Sequence, residues 1–336
     1  MKSLLRRIRM IAVLFLALAL VATAVVARLW QNRSDLADLG WAEAIPNDGA
    51  AGSVTVTWFG ISTLLFDDGE TQILIDGAFT RVPLAKILSF RRVSSDIATI
   101  NHTLAEYRMN RLAAIVPVHS HFDHAMDAGH VANRSTAVVL GSESTAYITR
   151  GADVPVDQSQ ILASGESRQF GDFTITLLDS KHAPIGFGDN GWLPGPIEET
   201  LVQPARVTAW REGISYSVLI GHPRGTTLIQ GSGGFIKDNL RDYSADVVML
   251  GVAGLAGLGR DYVDELWHET ITKVGAHRVF PVHYDDFTRP FGEIRLFPKV
   301  LDDVVQTAEW INEIAVAGES PVEIKLLPFG QAIALY

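Results

Sequence analysis

The run Val118-His119-Ser120-His121-Phe122-Asp123-His124 constrains this chain more than any other stretch, because it sets four metal-binding side chains within six residues. It reads H-x-H-x-D-H. On an extended segment His119 and His121 point to one side, and a turn that follows lets Asp123 and His124 reach another. Imidazole and carboxylate suit zinc, iron or manganese, so two groups of ligands so placed imply two adjacent metal positions. The preceding Ala113-Ala114-Ile115-Val116-Pro117-Val118 is apolar and strand-like. The cluster therefore sits just past the carboxyl end of a buried strand, where α/β sites usually lie. The competing reading is a histidine-rich surface turn, and so many ligands directly after a core strand argue against it.

With other strand-end residues, the hexad resembles the signature of the metallo-β-lactamase superfamily, over about Ser53 to Tyr336. Members open with a β-hairpin and a strand ending in Asp; here these are Val54–Gly60, Thr63–Phe66 and Ile73-Leu74-Ile75-Asp76-Gly77. His119, His121, Asp123 and His124 follow. A lone histidine then ends a strand, matched by Thr174–His182, and a last one follows a late strand, matched by Arg278–His283. The resemblance implies an α/β fold, the four-layer αββα sandwich. It implies a first metal position at His119, His121 and His182 with an open place for water, as in catalytic zinc sites. The second position would be Asp123, His124 and His283. One or two zinc ions are expected, with manganese or iron as alternatives, and Asp76 as a carboxylate that orients a ligating histidine. Asp76 reads equally well as a strand-ending turn with Gly77.

One position departs from the family. An Asp normally lies in a Gly-Asp turn between the third and last histidines and bridges the metals; here the turn after Thr227-Leu228-Ile229-Gln230 is Gly231-Ser232-Gly233-Gly234. Ser232 is a much poorer ligand than a carboxylate. A weaker second position is the expected consequence.

At 336 residues and 47% hydrophobic, the chain can bury one large core, so 53–336 is expected to be a single catalytic domain. Net charge is −10, and outside the amino terminus no Lys/Arg cluster exists to bind nucleic acid. Cysteine is absent, which removes disulfides and thiolate ligands.

Compartment is written in residues 1–28. Lys2, Arg6, Arg7 and Arg9 precede a run from Met10 to Ala27 whose only polar member is Thr23. It reads as a membrane anchor or a signal peptide, the anchor being favoured. Either way the positive-inside rule sends the domain to the periplasm or exterior, held at the inner membrane or released after cleavage. Residues 29–52 are polar and small and read as a tether.

Beyond the tether, strands and helices alternate. Helices are predicted over His102–Arg111, Ala125–Ala132, Ser142–Thr149, Asp261–Val274 and Lys299–Ile314, with late strands at Ser215–Ile220, Val247–Leu250 and Val322–Leu327. His222 reads as an exposed turn residue, and His102, His130, His268 and His277 as structural. The glycine-rich stretch 186–196 suits a loop over the metals that offers Phe187 and Trp192 to an apolar substrate; a plain surface connection is the alternative. Tyr284 reads as a hydroxyl that polarises a carbonyl, or as packing. Arg81, Arg91 and Arg92, in a second insertion, would favour an anionic substrate.

Function follows from these parts as expectation: a metal-dependent hydrolase acting on an ester, lactone, amide or phosphodiester of a small or lipid-like molecule, with Asp123 orienting water and accepting its proton. Softer features, Trp58–Thr63 and the surroundings of His182, resemble the broad group with lactonases and N-acyl phosphatidylethanolamine phospholipase D. The alternatives are a mononuclear-iron dioxygenase and a non-catalytic, membrane-tethered binding protein.

Overall fold

Period-two alternation explains the first sheet. Leu64 and Phe66, Ile73 and Ile75, and Ala114 and Val116 face one core, while Leu65, Leu74 and Ile115 face another. Strands buried on both faces lie between layers. The computed structural model, which describes residues 2–47, 53–186, 191–318 and 320–336, shows those layers.

The first sheet has seven strands in the order Ala332–Ala334, Thr55–Trp58, Leu64–Asp67, Gln72–Ile75, Leu112–Val116, Val138–Gly141 and Ser159–Ile161. It begins as antiparallel hairpins and continues parallel from Gln72–Ile75 onward. The second has eight: Ala42–Glu43, Glu323–Leu326, Arg278–Val282, Val247–Gly251, Gly225–Gln230, Ser215–His222, Phe173–Ser180 and Ser167–Phe170. Between them packs the main core, including Trp58, Phe66, Phe173, Val218 and Phe280. Helices Ile97–Glu106 and Ala128–Ala132 cover the outer face of the first sheet, and Arg260–Trp267 and Val304–Ala317 that of the second. The expected αββα sandwich is present.

Several boundaries moved for local reasons. The helix expected over 102–111 is Ile97–Glu106, because the Asp96 carboxylate accepts from the Ala98 and Thr99 N–H groups and starts it early. The last starts at Val304, where Asp303 caps it, and not at Lys299. The expected Ala125–Ala132 helix is two short ones, Phe122–Ala125 and Ala128–Ala132. The Asp127 carboxylate between them instead accepts from the Phe79 and Thr80 N–H groups. Arg260–Trp267 runs on through a wide π turn at His268–Thr272.

The amino terminus forms one helix, Lys2–Gln31, whose segment Arg9–Gln31 is long and apolar enough to cross a membrane and is unburied by the rest of the chain. The expected tether is not loose over 33–47. Leu39, Trp41 and Ala44 enter the main core, Ala42–Glu43 extends the second sheet, and the Trp41 indole donates to Asn312 at 2.8 Å. Composition hid this because few apolar residues are enough to dock so short a segment; residues 48–52 lie outside the described ones.

Candidate metal centre

Both sheets end their strands at one edge, and the site is built from those ends. Leu112–Val116 delivers an extended loop carrying His119 and His121, and the Phe122–Ala125 turn then presents Asp123 and His124. From the other sheet come His182, just after Phe173–Ser180 and bridged to Gly233, and His283, just after Arg278–Val282. Two groups result: His119, His121 and His182, and Asp123, His124 and His283, each with its ligand atoms within 4.8 Å of one another. The His119 and His124 rings, one from each group, are 4.1 Å apart. All six residues that the sequence singled out as ligands are brought together.

Hydrogen bonds leave one nitrogen of several rings pointing inward. The His124 Nδ1–H donates to Asp76 Oδ2 at 2.9 Å, the His182 Nδ1–H to the Ala183 carbonyl at 2.7 Å, and the His121 Nε2–H faces the Leu193 carbonyl at 3.4 Å. Their opposite nitrogens are free to accept a cation, which is how ligating histidines are oriented. His121 Nδ1 and His119 Nε2 stand 2.9 Å apart, a separation that calls for a proton or a cation between them. Asp123 Oδ2 lies 3.6 Å from His124 Nε2 and 3.5 Å from His283 Nε2, and its Oδ1 is buried with no hydrogen-bond partner. An unsatisfied buried carboxylate oxygen among imidazoles fits a divalent cation.

Electrostatics agree. Burial, then the neighbouring histidines, hold His119 well below its ordinary value, and burial with His182 pushes His121 down to about 3. Burial likewise lowers His182. These rings are neutral at physiological pH, as ligands must be. Burial pushes the Asp123 carboxyl up, but His124 and His283 outweigh it and hold it well below the usual carboxylate range. Burial depresses His124 too, and Asp76 and Asp123 more than reverse that.

Asp76 takes the orienting role expected of it. Fully buried, its Oδ2 accepts from Ser62 Oγ at 2.6 Å as well as from His124, and its Oδ1 accepts from the Val118 N–H at 2.8 Å. Its φ of +58°, followed by Gly77 at +77°, turns the carboxylate back under the hexad. Sequence reasoning missed Ser62; its only signal was a place in the Trp58–Thr63 turn.

Other expectations are corrected. Tyr284 is withdrawn from the site: its buried ring packs 5.0 Å from Trp58 in the main core. Burial, with Asp285 and Glu43, pushes its hydroxyl well above the ordinary value. His283 adopts φ +59°, which sends consecutive side chains in directions that strand alternation does not foresee. Arg81 is structural, donating to the Ala78 and Phe59 carbonyls at 2.6 Å each, and Arg91 and Arg92 are exposed. His222 is not exposed: its side chain packs on Phe173, with Nε2 3.6 Å from Asp68. Its Nδ1 accepts from the Arg224 N–H, which leaves the proton on Nε2 facing Asp68. Ser232 ends 7% exposed beside His182, and its hydroxyl donates to the Lys181 carbonyl at 3.2 Å. Of the loop residues, Trp192 lies 5.5 Å from the His121 ring, while Phe187 falls outside the described residues.

No protein-family model matches the chain. A UPF0173 metal-dependent hydrolase of Xanthobacter autotrophicus is 27% identical over 47% of this chain and 60% of its own length, so under two thirds of that relative is spanned. One of Heliobacterium modesticaldum is 24% identical over 75% of this chain and 91% of its own. Among solved structures, CmlA, a diiron β-hydroxylase from Streptomyces venezuelae, superposes with a TM-score of 0.52 at 10% identity, covering 86% of this chain and 55% of that one; this likeness speaks to fold alone. A two-sheet sandwich that carries such a hexad at one sheet's edge, and receives two more histidines from the other, is the fold and ligand arrangement that the resemblance to the metallo-β-lactamase superfamily implies, and in sequence the chain is similar to metal-dependent hydrolases.

Proposed function

We propose that the chain is a metal-dependent hydrolase of an ester, lactone or phosphodiester in a small or lipid-like molecule. The observation that carries this is the convergence of two buried three-residue groups, the first of them three neutral histidines, around an unsatisfied Asp123 oxygen. The relatives in Xanthobacter and Heliobacterium, named metal-dependent hydrolases, support it. His119, His121 and His182 would hold one ion and Asp123, His124 and His283 a second, zinc being the ion that imidazole-rich sets of this size favour. A bound zinc lowers the pKa of water to roughly 7 and polarises a carbonyl or phosphoryl oxygen. Asp123, anionic and facing both groups, orients the attacking water and accepts its proton. Asp76 keeps His124 in one tautomer, and Trp192 narrows the approach to His121.

The test is a panel of lactone, aryl ester, phosphodiester and β-lactam substrates, run with zinc, manganese and iron. Turnover of a panel member with zinc or manganese supports the reading. Oxygen consumption with iron and no hydrolysis would replace it by an oxidative one.

Ser232 sets a second expectation. Two cations at close range repel, and bridging anions offset that repulsion. The natural protein is expected to bind two metals unequally, with the Asp123, His124 and His283 position emptied first by a mild chelator. In Ser232→Asp the new carboxylate, repelled by the Lys181 carbonyl, turns to the cations and tightens the weaker site by on the order of tenfold, about 1.4 kcal/mol. Metal titration of both proteins checks this; two indistinguishable affinities in the natural protein would remove Ser232 as the cause.

As to place, the reading puts the domain outside the cytoplasmic membrane, with the Lys2–Gln31 helix as its anchor. Membrane fractions are expected to retain the protein through a high-salt wash, which screens charges and leaves a buried apolar helix in place. A soluble form starting near Arg28 would show a cleaved signal peptide instead.

A further inference from the structure

The end of the apolar helix is fastened to a wall of the metal centre. The Asn32 carbonyl accepts from the Lys299 N–H at 2.9 Å, and Arg33 bridges to Pro298. The Arg33 guanidinium donates from one nitrogen to Asp286 Oδ2 and to the Leu296 carbonyl, both at 2.7 Å. Asp286 is buried and lies three residues past His283. The clamp thus joins a helix of membrane-spanning length to the segment that leaves the second histidine group.

Between clamp and metals runs a continuous strip of aromatic rings. Phe297 lies 5.3 Å from Phe287, which lies 5.5 Å from His283 and 6.2 Å from Phe122. Phe122 lies 5.9 Å from Trp192, and Trp192 reaches His121 at 5.5 Å. Phe122 is buried, but Trp192, Phe287 and Phe297 are only half-buried and keep a face open. At the clamp end exposed apolar residues flank both sides of the Asn32–Lys299 bond: Val300 and Leu301 follow Lys299 at 54% and 52% exposure, and Leu29 and Trp30 precede Asn32 in the helix. An ordinary soluble surface scatters such residues; here they follow the clamp to the one helix among the described residues that is long and apolar enough to enter a bilayer.

We propose that this strip binds the hydrocarbon chain of a bilayer-resident amphiphile, with the bond to be cleaved at the metal centre. This rests on the hydrolase reading and names its substrate class. Apolar rings offer a hydrocarbon chain burial and no hydrogen bonds, so affinity grows with chain length, and the clamp holds the strip's outer end at the membrane surface where such chains reside. Water-soluble short-chain esters gain neither benefit.

The experiment uses the full chain, zinc-loaded, in phosphatidylcholine nanodiscs. One arm compares p-nitrophenyl dodecanoate with p-nitrophenyl acetate: the ratio of kcat/KM is expected to favour the long chain by about tenfold or more, and to fall by about fivefold or more in Phe297→Ala. A ratio of one or below in the natural protein overturns the proposal. The other arm needs no turnover. Dodecylphosphonate carrying a diazirine at its chain end is photolysed and labelled peptides are mapped; label within 287–301 is expected. Label confined to 9–31 overturns the proposal, since it shows the probe in the bilayer only. Label within 287–301 without hydrolysis of either ester, or of any member of the lactone, phosphodiester and β-lactam panel, would uphold the amphiphile site and sink the hydrolase reading, so the two fail separately.

Discussion

His121→Ala is expected to lose at least one equivalent of metal and to take hydrolysis to background, with the fold intact. The His121 ring supplies Nδ1 to the first group, 2.9 Å from His119 Nε2, and its ring centre is 5.0 Å from that of His182. Without it only two imidazoles remain on that side, one fewer than a catalytic zinc takes. The fold should survive because the structural duty of residue 121 belongs to its backbone. Its carbonyl accepts from the His124 and Ala125 N–H groups and starts the short helix, which alanine preserves. Deleting the ring leaves a small cavity costing on the order of 2 kcal/mol, partly offset because a strongly desolvated imidazole is no longer buried. Elemental analysis, circular dichroism and substrate turnover check all three parts. Unchanged metal content would break the assignment of the first group.

Asp76→Asn should be nearly as damaging, although it touches no metal. The carboxylate accepts three hydrogen bonds, from Ser62, His124 and Val118. Asparagine tolerates the +58° backbone, so the turn is kept. Its amide nitrogen, however, must face either the Val118 N–H or the His124 Nδ1–H, donor against donor, and one buried donor goes unmet. That costs roughly 1–3 kcal/mol of stability. Loss of the charge also weakens His124 as a base, because Asp76 is the larger of the two carboxylate influences that raise it. Metal affinity at the second group should fall by about 10- to 100-fold, the usual effect of removing a group that orients a ligand. Isothermal titration with zinc measures the affinity and thermal melting of the metal-free protein the stability. Wild-type affinity in this variant would show that Ser62 alone can orient His124.

Four of the six candidate ligands, and the sheet edge that bears them, follow from the sequence by itself, because their relation is local. Two residues apart on an extended segment share a side, and the next turn redirects the pair that follows, whatever the rest of the chain does. A layered α/β order follows in the same way from apolar strands alternating with helices, whereas the four-layer sandwich itself was implied by the resemblance. His182 and His283 are different. Their partners are far away in sequence, so only the packing of one sheet on the other brings them to the hexad, and the sequence could nominate them by resemblance alone. Where backbone angles leave the regular regions, local pattern stops informing: the positive φ of His283 separates the directions of His283 and Tyr284, sending one into the metal centre and the other against Trp58. The segment 33–47 likewise looks solvent-bound by composition, yet Arg33 finds Asp286 at 2.7 Å and Trp41 finds Asn312 at 2.8 Å. Single long-range contacts of this kind leave no periodic trace in the sequence. They, and the aromatic strip that joins the apolar helix to the metal centre, were decided only when distant strand ends and loops were packed together.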